Sequence, residues 1–423
     1  MRSIVLLVFI TGAVTVQAQH YACGQARHNA VQLTTSSIYS ATTPGFDLNT
    51  VPEILSTSCA SDKPFFFSVA VPEGSYRVSV VLGADQDSTT TVWAESRRLM
   101  IENVFVKARS SVTRSFDVNV RVPEIAGYLT HLVKLKTREV DNLDWDHKLT
   151  LEFNGEHPGV RSISIRPVEE PTIYLAGDST VVDQDTEPWA AWGQMLPRFF
   201  RPGVVVANHA ESGETIRSFV GERRLAKVLS LIHSGDYLVI QFGHNDQKPN
   251  GVSIDDYKSL LEDYIWQVRA KGATPVLVTS MHRRTFDISG KITNSLAGYP
   301  DAVRDVATAQ RVALIDLNAM SKTLFESMGP DASMNAFMHY AANAFPNQTE
   351  AISDDTHFNK YGAYELARCA VHGIRKAHLP LRKLLASDRA DFDPSTPDSQ
   401  STFNLPATPI PTKTINVMKI PQV

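Results

Sequence analysis

The stretch Ile173-Tyr174-Leu175-Ala176-Gly177-Asp178-Ser179 decides how this chain reads. Four apolar residues in a row stop at a glycine, and a serine follows two positions later. A run without alternation fits a strand buried on both faces, as in a parallel sheet. A serine leaving such a strand is where an α/β sheet presents a nucleophile. Similar runs follow at Val204-Val205-Val206-Ala207, Tyr237-Leu238-Val239-Ile240, Pro275-Val276-Leu277-Val278 and Val312-Ala313-Leu314-Ile315. Between two of them, Tyr257, Leu260, Leu261, Tyr264, Ile265 and Val268 recur at helical spacing. Ser253, Asp255 and Asp256 suit the start of that helix. The alternation predicts an α/β domain over residues 170–388, a doubly wound parallel sheet whose site lies beyond the carboxyl ends of its strands.

Upstream the grammar differs. Tyr76-Val78-Val80, Phe116-Val118-Val120-Val122 and Leu149-Leu151-Phe153 place alternate apolar side chains on one face. Turn residues at Pro72-Glu73-Gly74, Asn154-Gly155 and Pro158-Gly159 separate them. This predicts an antiparallel β-sandwich over 19–169, galactose-binding-like, in which carbohydrate binding is one reading. Trp93 and Trp145 would then stack on sugars; their alternative is the sandwich core. Past Asp388 a tail rich in Pro, Ser and Thr (389–423) is expected to run extended or disordered, or packed along the surface.

The two ends and the cysteines bound the setting. Arg2 followed by the apolar run Ile4 to Ile10 is too short to span a bilayer, and Ala18 before Gln19 fits a cleavage point. Residues 1–18 are therefore expected to be an export signal, and the protein secreted or periplasmic. With 41 basic and 45 acidic residues the net charge is -4, which provides no basic face for nucleic acid. No other apolar stretch is long enough to cross a membrane. Three cysteines are too few for a disulfide scaffold. Whether Cys23 and Cys59 pair is left open, and Cys369 reads as a buried thiol.

Each chemistry-bearing motif falls where a strand ends. Ser179 follows the first strand, Asn208 to Gly213 the second, and Gly243-His244-Asn245-Asp246 the third. Asp354 and His357, three apart, precede a helical stretch near Tyr361, and a turn or first helical turn would put them on one side. A serine hydroxyl is a poor nucleophile near neutral pH, so it needs a base such as His357, oriented by a carboxylate such as Asp354. The oxyanion needs donors, which the N–H groups of Ser179 and Gly213 and the Asn245 amide can supply. Taken singly, each of these is also an ordinary turn or capping residue. Their joint order is the signal.

That ordered set resembles the SGNH (GDSL) hydrolase superfamily over roughly Thr172 to His378. Within it the chain looks most like the rhamnogalacturonan acetylesterases. The matching residues are Ala176-Gly177-Asp178-Ser179-Thr180, Trp192-Gly193-Gln194-Met195-Leu196, Asn208-x-Ala210-x-x-Gly213, Gln241 to Asp246, and Asp354-x-Thr356-His357-Phe358. The resemblance implies a flavodoxin-like SGNH fold, Ser179 as nucleophile, an oxyanion hole completed by Gly213 and Asn245, and a triad completed by Asp354 and His357. Asp355 lacks the family's spacing. Fungal-type members carry Arg-Ser after the second-block glycine, where this chain has Glu214-Thr215. Arg283 and Arg284 are candidate contacts for an acidic sugar, with solvent-exposed or internally paired arginines as the alternative.

The expected function is a secreted serine esterase that removes acetyl groups from acetylated pectic polysaccharide through an acyl-enzyme. The same chemistry on acetylxylan or a lipid ester is the first alternative. A non-catalytic carbohydrate-binding protein is the alternative of another class. The mechanism requires no metal or cofactor, and no phosphate-cradling glycine loop is evident. Oligomeric state is left open.

Overall fold

The computed structural model describes residues 18–24, 29–127, 131–346, 348–388 and 391–409. Apart from Ala18, the expected export signal lies outside them.

Residues 19–167 form two sheets. One has seven strands, led by the order Val112–Val120, Gly74–Leu82, Gly159–Pro167, Gln19–Cys23, Val31–Leu33. The other has five, in the order Gly45–Asp47, Phe65–Ala70, Lys148–Glu156, Ser88–Ala94, Arg98–Val106. Tyr21, Val78 and Val80 from the first share an apolar core with Phe67, Leu149 and Leu151 from the second. Among the described residues these strands pair antiparallel, apart from Tyr21 to Cys23, which runs parallel to Val31 to Leu33, and isolated parallel bridges such as Ile38 to Phe46. A Cys23–Cys59 disulfide joins the first strand of this sheet to its margin, and Cys369 is a buried free thiol.

The second domain is built on five parallel strands: β1 (Thr172–Gly177), β2 (Val205–Asn208), β3 (Tyr237–Gln241), β4 (Thr274–Val278) and β5 (Ala313–Ile315). Their spatial order is β2-β1-β3-β4-β5. Ile173 and Leu175 enter one apolar cluster with Val276 and Val278. Tyr174 and Ala176 enter another with Leu238 and Leu277 on the opposite face. Alternate residues of one strand point to opposite faces, so a strand covered on both sides must be apolar throughout. Helix Ile254–Ala270 covers one face through Tyr257, Leu261, Tyr264, Ile265 and Val268. The Ser253 hydroxyl caps it by accepting from the Asp256 N–H at 3.2 Å. Helix Lys360–Lys376 covers the other face. The chain leaves β1 toward one neighbour and returns beside the other, so a crevice opens beyond the carboxyl end of β1.

The two domains share a core. Trp93 and Leu99 belong to the same apolar cluster as Trp192 and Met195. Trp93 is 0% and Trp145 8% exposed. Trp145 lies edge-on to His209, beneath the Arg121 guanidinium, and donates from Nε1 to Glu139 at 3.0 Å. Neither ring offers a face to a sugar, so the stacking expectation falls, and neither joins the sandwich core: Trp93 packs in the cluster shared with the second domain, and Trp145 packs with Ile125 and Val133. Burial of a large ring against the neighbouring domain is the reason.

Of the alternatives for the tail, residues 391–409 take the packed one. Phe392 and Leu405 are buried in the main core, and the Phe403 ring packs on Tyr361 and Tyr364. Its backbone carbonyls accept from both domains: Ala407 from Asn154 at 2.9 Å and Pro406 from Lys360 at 2.9 Å. Three apolar side chains, these carbonyl bonds and an Arg368–Asp398 ion pair anchor the strap.

Candidate active site

The chain turns sharply after β1. Any Cβ at Gly177 would lie 2.5 Å from Val181 Cγ2 and 2.9 Å from the Gln241 carbonyl oxygen, so only glycine fits. The buried Asp178 then accepts from Thr180 through both N–H (2.9 Å) and Oγ1 (2.7 Å). Burial raises its pKa, but the nearby His244 imidazole, 3.5 Å away, and the Thr180 bonds outweigh this and hold it below the ordinary carboxylate range. Gln184 donates to the Ser179 carbonyl at 2.9 Å, and Gln241 donates to Thr180 Oγ1 at 2.7 Å. Asn208 donates to the Val181 carbonyl at 2.7 Å and to Asp183 at 2.8 Å. Asn208, Gln241 and Trp192, which donates to Gln241 at 2.8 Å, therefore brace the serine turn from beneath.

Asp354 and His357 lie on strand Ile352–Phe358, not in a turn or helix as their spacing predicts. That strand pairs with Phe337–Tyr340, matching Met338 with Asp354 and Phe337 with Phe358. Asp355 to His357 are left as a bulge. In a regular strand, residues three apart would face opposite sides. Here Asp354 Oδ1 accepts the N–H groups of Thr356 (2.7 Å) and His357 (3.0 Å), which curls the chain. Asp354 Oδ2 then meets His357 Nδ1 at 2.6 Å, and His357 Nε2 lies 2.9 Å from Ser179 Oγ. Burial raises the Asp354 pKa, but His357 and the two N–H groups outweigh it and bring it down to about 2. The anion holds Nδ1 protonated and leaves Nε2 to take the serine proton.

Opposite this chain lies the loop after β2. Glu211 N–H donates to the Gly177 carbonyl at 3.1 Å, seating the loop against the serine turn. Gly213 has φ +82°, a conformation suited to glycine. Among the described residues, the N–H groups of Ser179 and Gly213 have no protein acceptor. Asn245 Nδ2 donates to the Glu214 carbonyl at 3.0 Å, which spends one amide proton and leaves the other. Asp246, next along, accepts the Ile216 N–H at 2.8 Å, and burial pushes its carboxyl up to about 7.

Arg283 and Arg284 are turned inward. Arg283 donates to Thr356 Oγ1 at 3.1 Å, to the Ser295 carbonyl at 3.0 Å and to the His244 carbonyl at 3.3 Å. It thus ties the bulge carrying His357 to the loop carrying Asn245. Arg284 pairs with Asp355 at 2.9 Å, and His339 meets the same carboxylate at 2.8 Å. Asp355 is thereby occupied away from His357.

The family assignment follows from this geometry and from matching sequences. The GDSL-like Lipase/Acylhydrolase family matches residues 175–364. A rhamnogalacturonan acetylesterase from Bacillus subtilis, RhgT, is 44% identical over 218 residues, covering 51% of this chain and 94% of its own. The chain belongs to the GDSL-like family. It is an esterase of the SGNH type, similar above all to rhamnogalacturonan acetylesterases. A second B. subtilis relative named as a probable rhamnogalacturonan acetylesterase, YesY, is 35% identical, covering 51% of this chain and 98% of its own. The uncharacterised B. subtilis esterase YxiM is 30% identical over 316 residues, 73% of this chain and 74% of its own.

In this GDSL-family esterase two groups beside the site carry no motif. Lys136 and Arg138, from the first domain, both donate to the Ser212 carbonyl, Lys136 at 2.7 Å. Lys136 also pairs with Glu214 and Arg138 with Glu211. Nothing local in sequence marks them, because the contact spans two domains.

Proposed function

We propose that the protein is a secreted serine esterase that removes acetyl groups from acetylated pectic polysaccharide, with rhamnogalacturonan as the substrate class. The observation that carries this reading is the unbroken chain Ser179–His357–Asp354 beside unpaired backbone donors at Ser179 and Gly213. Ser179 Oγ attacks the acetyl carbonyl carbon while His357 Nε2 takes its proton. The oxyanion is held by the Ser179 and Gly213 N–H groups and the second Asn245 amide proton. The acyl C–O bond to the sugar breaks as His357 protonates the departing sugar oxygen, and water, deprotonated by His357, then attacks the acetyl-serine to release acetate and restore Ser179. Asp354 stabilises the imidazolium throughout.

Similarity to relatives named as rhamnogalacturonan acetylesterases supports the substrate class. The inward engagement of Arg283 and Arg284 favours an internal tie over direct contact with galacturonate. Export rests on residues 1–18 and is tested by N-terminal sequencing of secreted material. Acetate release from acetylated rhamnogalacturonan, acetylxylan and a long-chain ester should rank in that order. Equal rates for wild type and Ser179→Ala would sink the mechanism, and preference for acetylxylan would move the substrate.

A further inference from the structure

The peptide between Ser212 and Gly213 carries two functions on its two ends. Its N–H is the proposed oxyanion donor of Gly213. Its carbonyl receives Lys136 Nζ at 2.7 Å and the Arg138 guanidinium. Because a trans peptide is planar, the C=O and N–H point in opposite directions. Two cations on the oxygen therefore set the plane of the group and leave the N–H aimed away from them. Charge-assisted bonds to the carbonyl also polarise the amide and strengthen its N–H as a donor.

Both cations are held in place. Lys136 Nζ pairs with Glu214, whose side chain is fully buried, and would lie 3.7 Å from any Cβ on Gly213. Arg138 pairs with Glu211, whose own N–H anchors the loop to Gly177. The Glu214 carbonyl in turn accepts from Asn245. The lysine, the glycine peptide and the asparagine thus form one connected set. The Lys136 end is itself fixed: its N–H donates to Glu139 at 2.8 Å, and Glu139 is paired with the buried Arg224 of the second domain.

We propose that Lys136 and Arg138 of the β-sheet domain are positioning residues that orient and polarise the Ser212–Gly213 peptide, so that the esterase's oxyanion hole is completed across the domain interface. The inference rests on the acyl-enzyme mechanism proposed above. It makes the first domain part of the catalytic unit rather than a separable module.

The test measures kcat and KM on p-nitrophenyl acetate, with melting temperature, for Lys136→Met, Arg138→Gln and the pair together. Lys136→Met leaves the Glu214 carboxylate buried and uncompensated, so Lys136→Met/Glu214→Gln is included to keep the loop folded. The expected result is a fall in kcat on the order of 10- to 100-fold for each single variant and more for the pair, with KM within about two-fold. Lys136→Arg should restore kcat to within a few-fold, since it keeps a cation on the carbonyl. A folded Lys136→Met/Glu214→Gln protein with wild-type kcat would overturn the inference. So would a loss confined to KM. Ser179→Ala, run alongside, separates the two readings: its inactivity with unchanged Lys136 variants breaks only the clamp, whereas its activity breaks the mechanism beneath it.

Discussion

His357 takes its orientation from Asp354, three positions earlier on one bulged strand. Gly213 takes its orientation from Lys136, which lies 76 positions before Ser212 in another domain. The base side of the cleft is thus local in sequence, with Arg283 as its tie to the loop carrying Asn245. Two N–H bonds and one imidazole bond converge on a single carboxylate. The proposed oxyanion side is assembled from a positive-φ glycine, a loop seated on Gly177, and cations reaching over from the first domain. A proton relay needs two groups at hydrogen-bond distance, which a short curl of chain can supply. Charge stabilisation needs dipoles that do not reorganise, and these come from rigid packing over a larger volume.

Removing each side in turn separates the two. Ser179→Ala should lower kcat on acetyl esters on the order of 10^6-fold with an unchanged melting temperature, since both sides lose their common target. Asp354→Asn should cost about 10^4-fold by presenting His357 in the wrong tautomer, read as kcat with KM preserved. Asn245→Ala should cost roughly 100- to 1000-fold in kcat, the signature of one lost oxyanion donor. If Asn245→Ala instead matched Asp354→Asn, the oxyanion side would be as localised as the base side. Arg283→Gln, which unties the His357 bulge from the Asn245 loop, should lower kcat on the order of 10- to 100-fold, with a fall in melting temperature.

The smallest effect lies in acid. The folded Asp354 carboxyl titrates at about 2, below its ordinary 3.8. A depressed pKa means the anion stabilises the fold, fully above about pH 4, with loss as pH falls through 2. Wild type should lose about 2 kcal/mol more than Asp354→Asn across that window in denaturant titrations.

Much of the fold was legible because burial on two faces leaves a direct trace. Ile173 to Ala176 and its four counterparts are apolar at every position, and each forms or overlaps a strand of the parallel sheet. The helix from Ile254 showed its packed face and its Ser253 cap for the same reason. The residues that meet at the site were legible from their order. Other placements were not. Asp354 and His357 sit on a bulge because two backbone N–H groups choose the same carboxylate oxygen, and spacing alone does not reveal that choice. The tryptophans Trp93 and Trp145 carry the same composition signal whether they face a sugar or a neighbouring domain. Arg283 and Arg284 look like ligands in sequence, yet their acceptors are Thr356, Ser295, His244 and Asp355.

The opening run and its serine determined by themselves that a parallel sheet would deliver Ser179 to a strand end. The roles proposed for Gly213, Asn245, Asp354 and His357 rest equally on their types and order. Tertiary structure alone decided what holds the Ser212–Gly213 peptide still. Hydrophobic patterning reports which faces a segment buries, and it does so residue by residue. A lysine on one domain and a carbonyl on another leave no periodic trace, because their pairing depends on how two finished domains close upon each other.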